Sequence, residues 1–485
     1  MALLTEEGKP VAELQPESLQ DIQGIVISGY GHLPCASYLL LRVTDAAGAR
    51  RWLAHLVDEI TVSERKQEGT SLNLALTHDG LAHLGLAAEA LATFPRPFLE
   101  GMATPHRSRI LGDADENAPA NWNWGGDNES KAVDILLLLF ASDETVLEDL
   151  LKHHRAGFSQ SGITEVIALS AGRQPDSHEH FGFADGMGQP AIEGSLQMDK
   201  AALRNVIKAG EILLSYINDY GKPADSPMVN AARDPRGLLP EPPAIDETAG
   251  APSRMRDLGR NGSYLVFRQL AQHVADFYQF LDQATRQPNG QLDPGASSRL
   301  AAKLVGRWPE GAPLVLSPDG DNPALGNADD FGYRDTDARG FKCPVGSHIR
   351  RANPRDTLGP DARTALKSAN RHRILRRGRS YGHRPADRRV DDGLERGLHF
   401  ICLNSDIERQ FEIVQQTGVN NPVFGGLDGE VDPLIGNLNK GDAIMTVQAD
   451  PLRTRIHNLR RFVTVKGGAY FFLPSIRALR YLSSL

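Results

Sequence analysis

The sequence predicts an α+β protein of two ferredoxin-like domains, with antiparallel sheets and helices packed on them as in a dimeric α+β barrel. Three observations point there. Short apolar runs of strand length alternate with segments of helical spacing. In the first half their order is β-α-β-β-α-β, the ferredoxin-like unit. The second half repeats the strand-then-helix order, although no residue-level repeat is visible. At 485 residues the chain also exceeds the size of one ordinary core. A division into an N-terminal extension (1–20), a first domain (21–200) and a second domain (201–485) is expected.

Taking the elements in order, residues 24–31 read as a strand ending in a glycine turn, and 36–43 as an aliphatic strand. Residues 46–60 have helical spacing through Trp52, Leu53, Leu56 and Ile60. A strand at 71–76, a helix at 79–84, a strand at 134–140, a helix at 143–154 and a strand at 163–169 complete the first set. In the second half, strands are expected at 211–217, 262–268 and 397–403, with helices at 270–284 and 405–416. A hairpin is expected at 462–473 about Lys466-Gly467-Gly468. Three Gly/Pro/Asp-rich insertions, 111–130, 222–253 and 318–340, are long enough to cover a site.

Composition excludes several classes. Hydrophobic residues at 40% and charged residues at 24% describe a globular chain rather than a disordered one. The 53 Lys+Arg against 61 Asp+Glu leave a net charge of -8, which argues against a general nucleic-acid binder. No apolar run is long enough to cross a membrane, and Met1 to Glu7 lacks the features of a secretory signal, so a cytoplasmic location is expected. Cys35, Cys343 and Cys402 are too few and too scattered for a disulfide framework.

Three stretches carry candidate chemistry. The first, Cys343-Pro344-Val345-Gly346-Ser347-His348-Ile349-Arg350-Arg351, places an imidazole and the Arg351 guanidinium on one face of a short helix that Pro354 ends. His348 is either a metal ligand or a hydrogen-bonded surface histidine. The second, His178 to Pro190, surrounds Asp185 with two aromatics, three glycines and a proline. The backbone there can approach a planar ligand closely, and an apolar setting would fit Asp185 for proton transfer; a plain Asp-Gly turn is the structural alternative. The third, Arg371 to Gly382, reads as a strand with arginines facing alternately, one of them toward a site, rather than as a nucleic-acid stripe.

Gly182-Phe183-Ala184-Asp185-Gly186 with Gln189-Pro190, the Cys-Pro-x-x-x-His-Ile-Arg stretch ending at Asn353-Pro354-Arg355, and Arg376 in its Arg-rich strand together resemble the dye-decolorizing peroxidases. Val305 to Pro309 and Tyr470 to Ser475 are similar to the larger, cytosolic members, and the likeness runs from about Asp21 to the C-terminus. The resemblance implies one haem b per chain, held mainly by the second domain, with His348 as proximal iron ligand. It implies Asp185 and Arg376 as the distal pair, and hydrogen peroxide oxidising bulky aromatic or dye-like reductants through Compound I. Under it, Arg351 is expected to meet a propionate, Phe471 or Phe472 to wall the haem, and Gly186 to line it. Glu408, Glu412 or Asp406 is expected to accept from the second nitrogen of His348. Tyr381 and Trp308 are candidate electron relays. A homo-oligomer is compatible with this reading, and nucleic-acid and membrane partners are not expected. The sequence departs from many members at Met187-Gly188, at Gly418 and at Gly378, where some relatives carry Asn. A haem or iron carrier using the same pocket without turnover is the alternative function.

Overall fold

The computed structural model describes residues 14–64, 68–243, 254–438 and 443–485. Its centre is one closed antiparallel sheet. The strands are β1 (Cys35–Val43), β2 (Thr70–Leu76), β3 (Ile135–Ala141), β4 (Ile163–Gly172), β5 (Ser263–Gln272), β6 (Leu375–Arg376), β7 (Arg379–Tyr381), β8 (Gly397–Asn404) and β9 (Val463–Leu473). Their order is β6-β8-β7-β4-β1-β3-β2-β9-β5, and pairing of β8 with β5 closes the ring. Within the first half the order β4-β1-β3-β2 is that of a ferredoxin-like unit. The second half repeats it, with β6 and β7 together as the edge strand beside β8, β5 and β9. Ser380 opposite Gly172, and Phe472 opposite Leu76, join the two halves.

The strict alternation of β3 shows why the ring forms. Ile135, Leu137 and Leu139 join a core under the helices, whereas Leu136, Leu138 and Phe140 join a second core on the opposite face. Both faces are covered, so the strand reads as a continuous apolar run. The helix-side core receives α1 (Ala46–Leu56) through Trp52, Leu53 and Leu56, and partly buried Leu147, Leu150 and Leu151 of α2 (Glu144–Ala156). Asp45 and Asp143 cap these helices by accepting main-chain N–H groups. The second half adds α3 (Val274–Ala284), α4 (Pro294–Val305), α5 (His348–Ala352) and α6 (Ala362–Asn370) before α7 (Ile476–Ser483) ends the chain. Among the described residues no helix is long and apolar enough to cross a membrane.

Several expected elements are corrected. Residues 24–31 hold a 3-10 turn, Gly24–Val26, because the buried Gln23 side chain ties this segment to Leu74 and Pro474. Residues 211–217 are not a strand: the chain turns back on itself, Leu213 N–H donates to Ala209 O, and Ile212 and Leu213 fill the core. The expected hairpin at 462–473 is the single strand β9, bulged between Val465 and Gly467. Trp124, from the 111–130 insertion, occupies the space a Cβ at Gly467 would need, at 2.5 Å. The helix after β8 is wound as π turns, Glu408–Glu412 and Val414–Val419. Residues 244–253 of the second insertion lie outside the described residues.

Candidate active site

His348 is the first residue of α5, and its entry is held on both sides. Ser347 Oγ donates to Lys303 O at 2.6 Å, and Asp337 accepts from the main-chain N–H of Cys343 and from Arg350. His348 Nδ1 lies 2.9 Å from Asp432 Oδ2. Asp432 is completely buried, and its other oxygen accepts from the main-chain N–H groups of Leu434 and Ile435. Burial works against the Asp432 anion, but His348 and the two amides outweigh it and hold the carboxyl below its ordinary range. With Nδ1 engaged by a carboxylate, the imidazole keeps its Nε2 lone pair for a metal.

The expected acceptors are used elsewhere. Glu412 is buried and bound to Arg107 Nη1 at 2.7 Å and Tyr470 Oη at 2.8 Å. Asp406 accepts from Arg409 N and Nε, and Glu408 makes no contact with His348. Asp432 escaped sequence reasoning because it lies 84 residues beyond His348 in a loop with no periodic pattern. Its only signal is a carboxylate followed by proline in an otherwise apolar stretch.

Arg351 is also reassigned. It is 1% exposed and donates to the carbonyls of Gly346, Gly418, Asn421 and Glu430, with its guanidinium 5.2 Å from the Phe424 ring. Four of its five N–H donors are thus engaged with main chain, and it braces α5 instead of facing a propionate. A Cβ at Gly418 would lie 2.6 Å from Arg351 O, which accounts for the glycine there.

The other set of contacts unites Asp185 and Arg376. Arg376 Nη1 is 3.7 Å from Asp185 Oδ1, Nη2 donates to Met187 O at 2.6 Å, and the Arg376 main-chain N–H donates to Gln189 Oε1 at 2.9 Å. The loop and the strand therefore interlock through the residues of the motif itself. Glu179 shapes the loop by accepting from the N–H groups of Phe181 and Phe183, and Gln272 holds the same carboxylate. Burial pushes the Glu179 carboxyl up, against these hydrogen bonds. His180 joins the loop to Tyr381 O at 2.8 Å.

Asp185 and Arg376 line a cavity of about 380 Å³ with Gly186, Glu179, Leu398 and Phe400. Their side chains are 46% and 38% exposed, so Asp185 faces an open cavity and not the enclosed apolar setting expected. Gly186 has a φ of 92° and open space where a Cβ would stand. Leu398 and Phe400, unnoticed in the sequence, supply the apolar wall, with His399 between them also at the cavity's edge.

Phe471 and Phe472 do not line this cavity. Successive residues of β9, they face opposite cores, and Phe472 packs at 5.4 Å against Phe94. Tyr381 is stacked on His399 at 4.5 Å and Trp308 donates to Ser317 O; both are buried, so neither is a surface relay. In the arginine-rich strand, Arg377 donates to Ile25 O and Val26 O, and Arg379 to Tyr30 O. These guanidiniums hold the N-terminal segment against the barrel, which removes them from any nucleic-acid stripe. Gly378 separates β6 from β7, and a Cβ there would lie 2.4 Å from His399 O, so the Asn of some relatives has no room in this backbone.

No family model matches the chain. Curated relatives do. It is 30% identical over 501 residues to a multifunctional dye peroxidase of Amycolatopsis sp., covering 97% of this chain and 95% of that one. It is 30% identical over 502 residues to a dye-decolorizing peroxidase of Mycetinis scorodonius, covering 96% and 88%. Among solved structures, an ancestral D-type dye decolorizing peroxidase superposes with a TM-score of 0.75 at 26% identity, covering 97% of this chain and 99% of that chain. A dye-decolorizing peroxidase in complex with 2,6-dimethoxyphenol gives 0.73 at 26% identity, covering 97% and 100%. A closed double ferredoxin-like sheet, a carboxylate-bound histidine and near full-length likeness to these enzymes lead to one assignment: the chain belongs to the dye-decolorizing peroxidase family of haem enzymes.

Proposed function

We propose that the chain binds one haem b, held chiefly by its second half, and uses hydrogen peroxide to oxidise aromatic reductants. The observation that carries this reading is the Asp185–Arg376 pair at 3.7 Å on one cavity. A haem carrier needs an iron ligand; it has no need of a carboxylate and a guanidinium held side by side. His348 Nε2 would hold the iron, and Asp432 at Nδ1 would fix the tautomer and raise the basicity of the ring. Arg307, Arg355 and Arg373 gather about Asp329 within electrostatic reach of Arg376, so positive charge is in excess there. Burial, with Arg355 and Arg376 nearby, holds the Arg373 guanidinium down to about 10. These three guanidiniums are buried and bonded to protein oxygens as Arg351 is, so Arg376, 38% exposed on the cavity and backed by their charge, is the cation that would meet a haem propionate.

Haem supplies the ferric iron at which peroxide is reduced. With haem bound, the Asp185 carboxylate would accept a proton from one peroxide oxygen and return it to the other, which would leave as water. Arg376 stabilises the negative charge that develops as the O–O bond breaks, and its link to Met187 O holds the guanidinium in place. Leu398 and Phe400 keep the wall beside the pair apolar, which strengthens both interactions. Reductants of the phenol class are consistent with the 2,6-dimethoxyphenol held by one solved relative.

The test compares haem-loaded native protein with Asp185→Asn and Arg376→Leu. Peroxide-dependent oxidation of an anthraquinone dye or 2,6-dimethoxyphenol is expected, with both variants slowed and still haem-bound. Haem transfer to an apo-acceptor with no dye turnover would establish the carrier instead.

A further inference from the structure

We propose that Glu59, His153 and His154 bind one divalent transition-metal cation of the zinc class at the surface of the first half. Glu59 ends the 3-10 turn Val57–Glu59 that follows α1, and the two histidines lie in the last turn of α2. One ligand atom from each of the three residues lies within 4.8 Å of the others, and His153 Nε2 is 3.6 Å from Glu59 Oε2. This is the one such cluster among the described residues, and it shares no residue with the haem site.

His154 points independently to a ligand. Leu147, Leu150 and Leu151 form the stripe by which α2 packs on the core, and the next position on that stripe is His154. An apolar residue is expected there. Instead an imidazole only 4% exposed carries a buried Nε2 with no hydrogen-bond partner. Buried polar atoms are rarely left in that condition, and a metal beside the ring gives the imidazole a ligand role. The electrostatics agree: Glu59 supplies an anion, and the C-terminal end of α2 carries partial negative charge that favours a cation. Two imidazoles and one carboxylate are the donor set of zinc and its borderline neighbours, with water completing the tetrahedron; calcium and magnesium prefer all-oxygen sites. Bound there, the ion ties the end of α1 to the end of α2.

The probe is zinc chloride, titrated calorimetrically into chelator-treated, haem-loaded full-length protein. One zinc per chain is expected in the native protein, with a rise in melting temperature. Glu59→Gln and His153→Ala should each weaken binding by at least about tenfold, since loss even of a group behind a ligand costs that much. Both side chains are surface-exposed, so neither change threatens the fold. Zinc-edge absorption of the native complex should show imidazole nitrogen at about 2.0–2.1 Å. No stoichiometric zinc, or equal affinity in the Glu59→Gln/His153→Ala double variant, would overturn the site.

Discussion

His348 donates its Nδ1 proton to Asp432, a fully buried carboxylate 84 residues further along the chain, at 2.9 Å. Asp432→Asn keeps the shape but removes the charge, so the ring becomes a weaker ligand. Haem affinity should fall by about 10- to 100-fold and the ferric/ferrous potential should rise. Haem titration and spectroelectrochemistry check both. His348→Ala should abolish stoichiometric haem binding; full occupancy in that variant would refute the ligand assignment.

The interlock of Arg376 with Met187, Gln189 and Asp185 predicts a different phenotype. Arg376→Leu should slow the reaction of the loaded enzyme with peroxide by about 10²- to 10³-fold. Asp185→Asn should slow it by about 10²- to 10⁴-fold. Haem content should be unchanged in each. Stopped-flow decay of the Soret band after mixing with peroxide reads the rate, and unaltered rates in both variants would remove the pair from the mechanism.

Glu179 acts on the same reaction through the loop it shapes. Glu179→Ala frees the N–H groups of Phe181 and Phe183 and loosens the segment that carries Asp185. A misplacement of order 1 Å costs about 10²-fold, so a loss of that order in the peroxide step is expected with haem retained. A peroxide rate equal to that of the native enzyme would show the loop to be held by other contacts.

The buried triad of Arg107, Glu412 and Tyr470 separates stability from ligation. Among the described residues, Glu412→Ala leaves Arg107 its bond to Glu100 in a buried setting, and should cost about 3 kcal/mol of stability. The ferric Soret spectrum of the haem-loaded variant should not shift. A spectral change like that of Asp432→Asn would return Glu412 to the proximal side.

Asp219 offers a pH test of the fold. Burial and the nearby Glu211 carboxylate raise its carboxyl to about 6. Because the folded value exceeds the unfolded one, the folded chain holds the extra proton between about pH 4 and 6, and stability from this group is lost as pH rises through that window. Asp219→Asn should therefore stabilise the protein by about 1 kcal/mol at pH 7, allowing for partial exposure, and add nothing at pH 4. Denaturation midpoints at the two pH values decide it, and an equal gain at both would contradict the assigned shift.

Residues near one another in sequence could be read because their geometry is local. The period-2 run of β3, the apolar stripe of α1 and the glycine-bounded Asp185 depend on neighbours within a few positions, and so does the start of a short helix at His348. Those patterns were enough for the double ferredoxin-like fold, and they marked the three residues on which the resemblance rests. Long-range partners were not legible. Which carboxylate meets His348 was decided by the path of the loop carrying Asp432. Arg351 was drawn away from any propionate by four carbonyls that only folding brings around it. Strand parity in the closed sheet sent Phe471 and Phe472 into opposite cores, and the closing of the ring brought Leu398 and Phe400 of β8 to the cavity. A sequence shows which side chains can do chemistry; the tertiary structure alone sets which of their hydrogen bonds are already spent, because burial requires every donor and acceptor to find a partner wherever the chain happens to bring one.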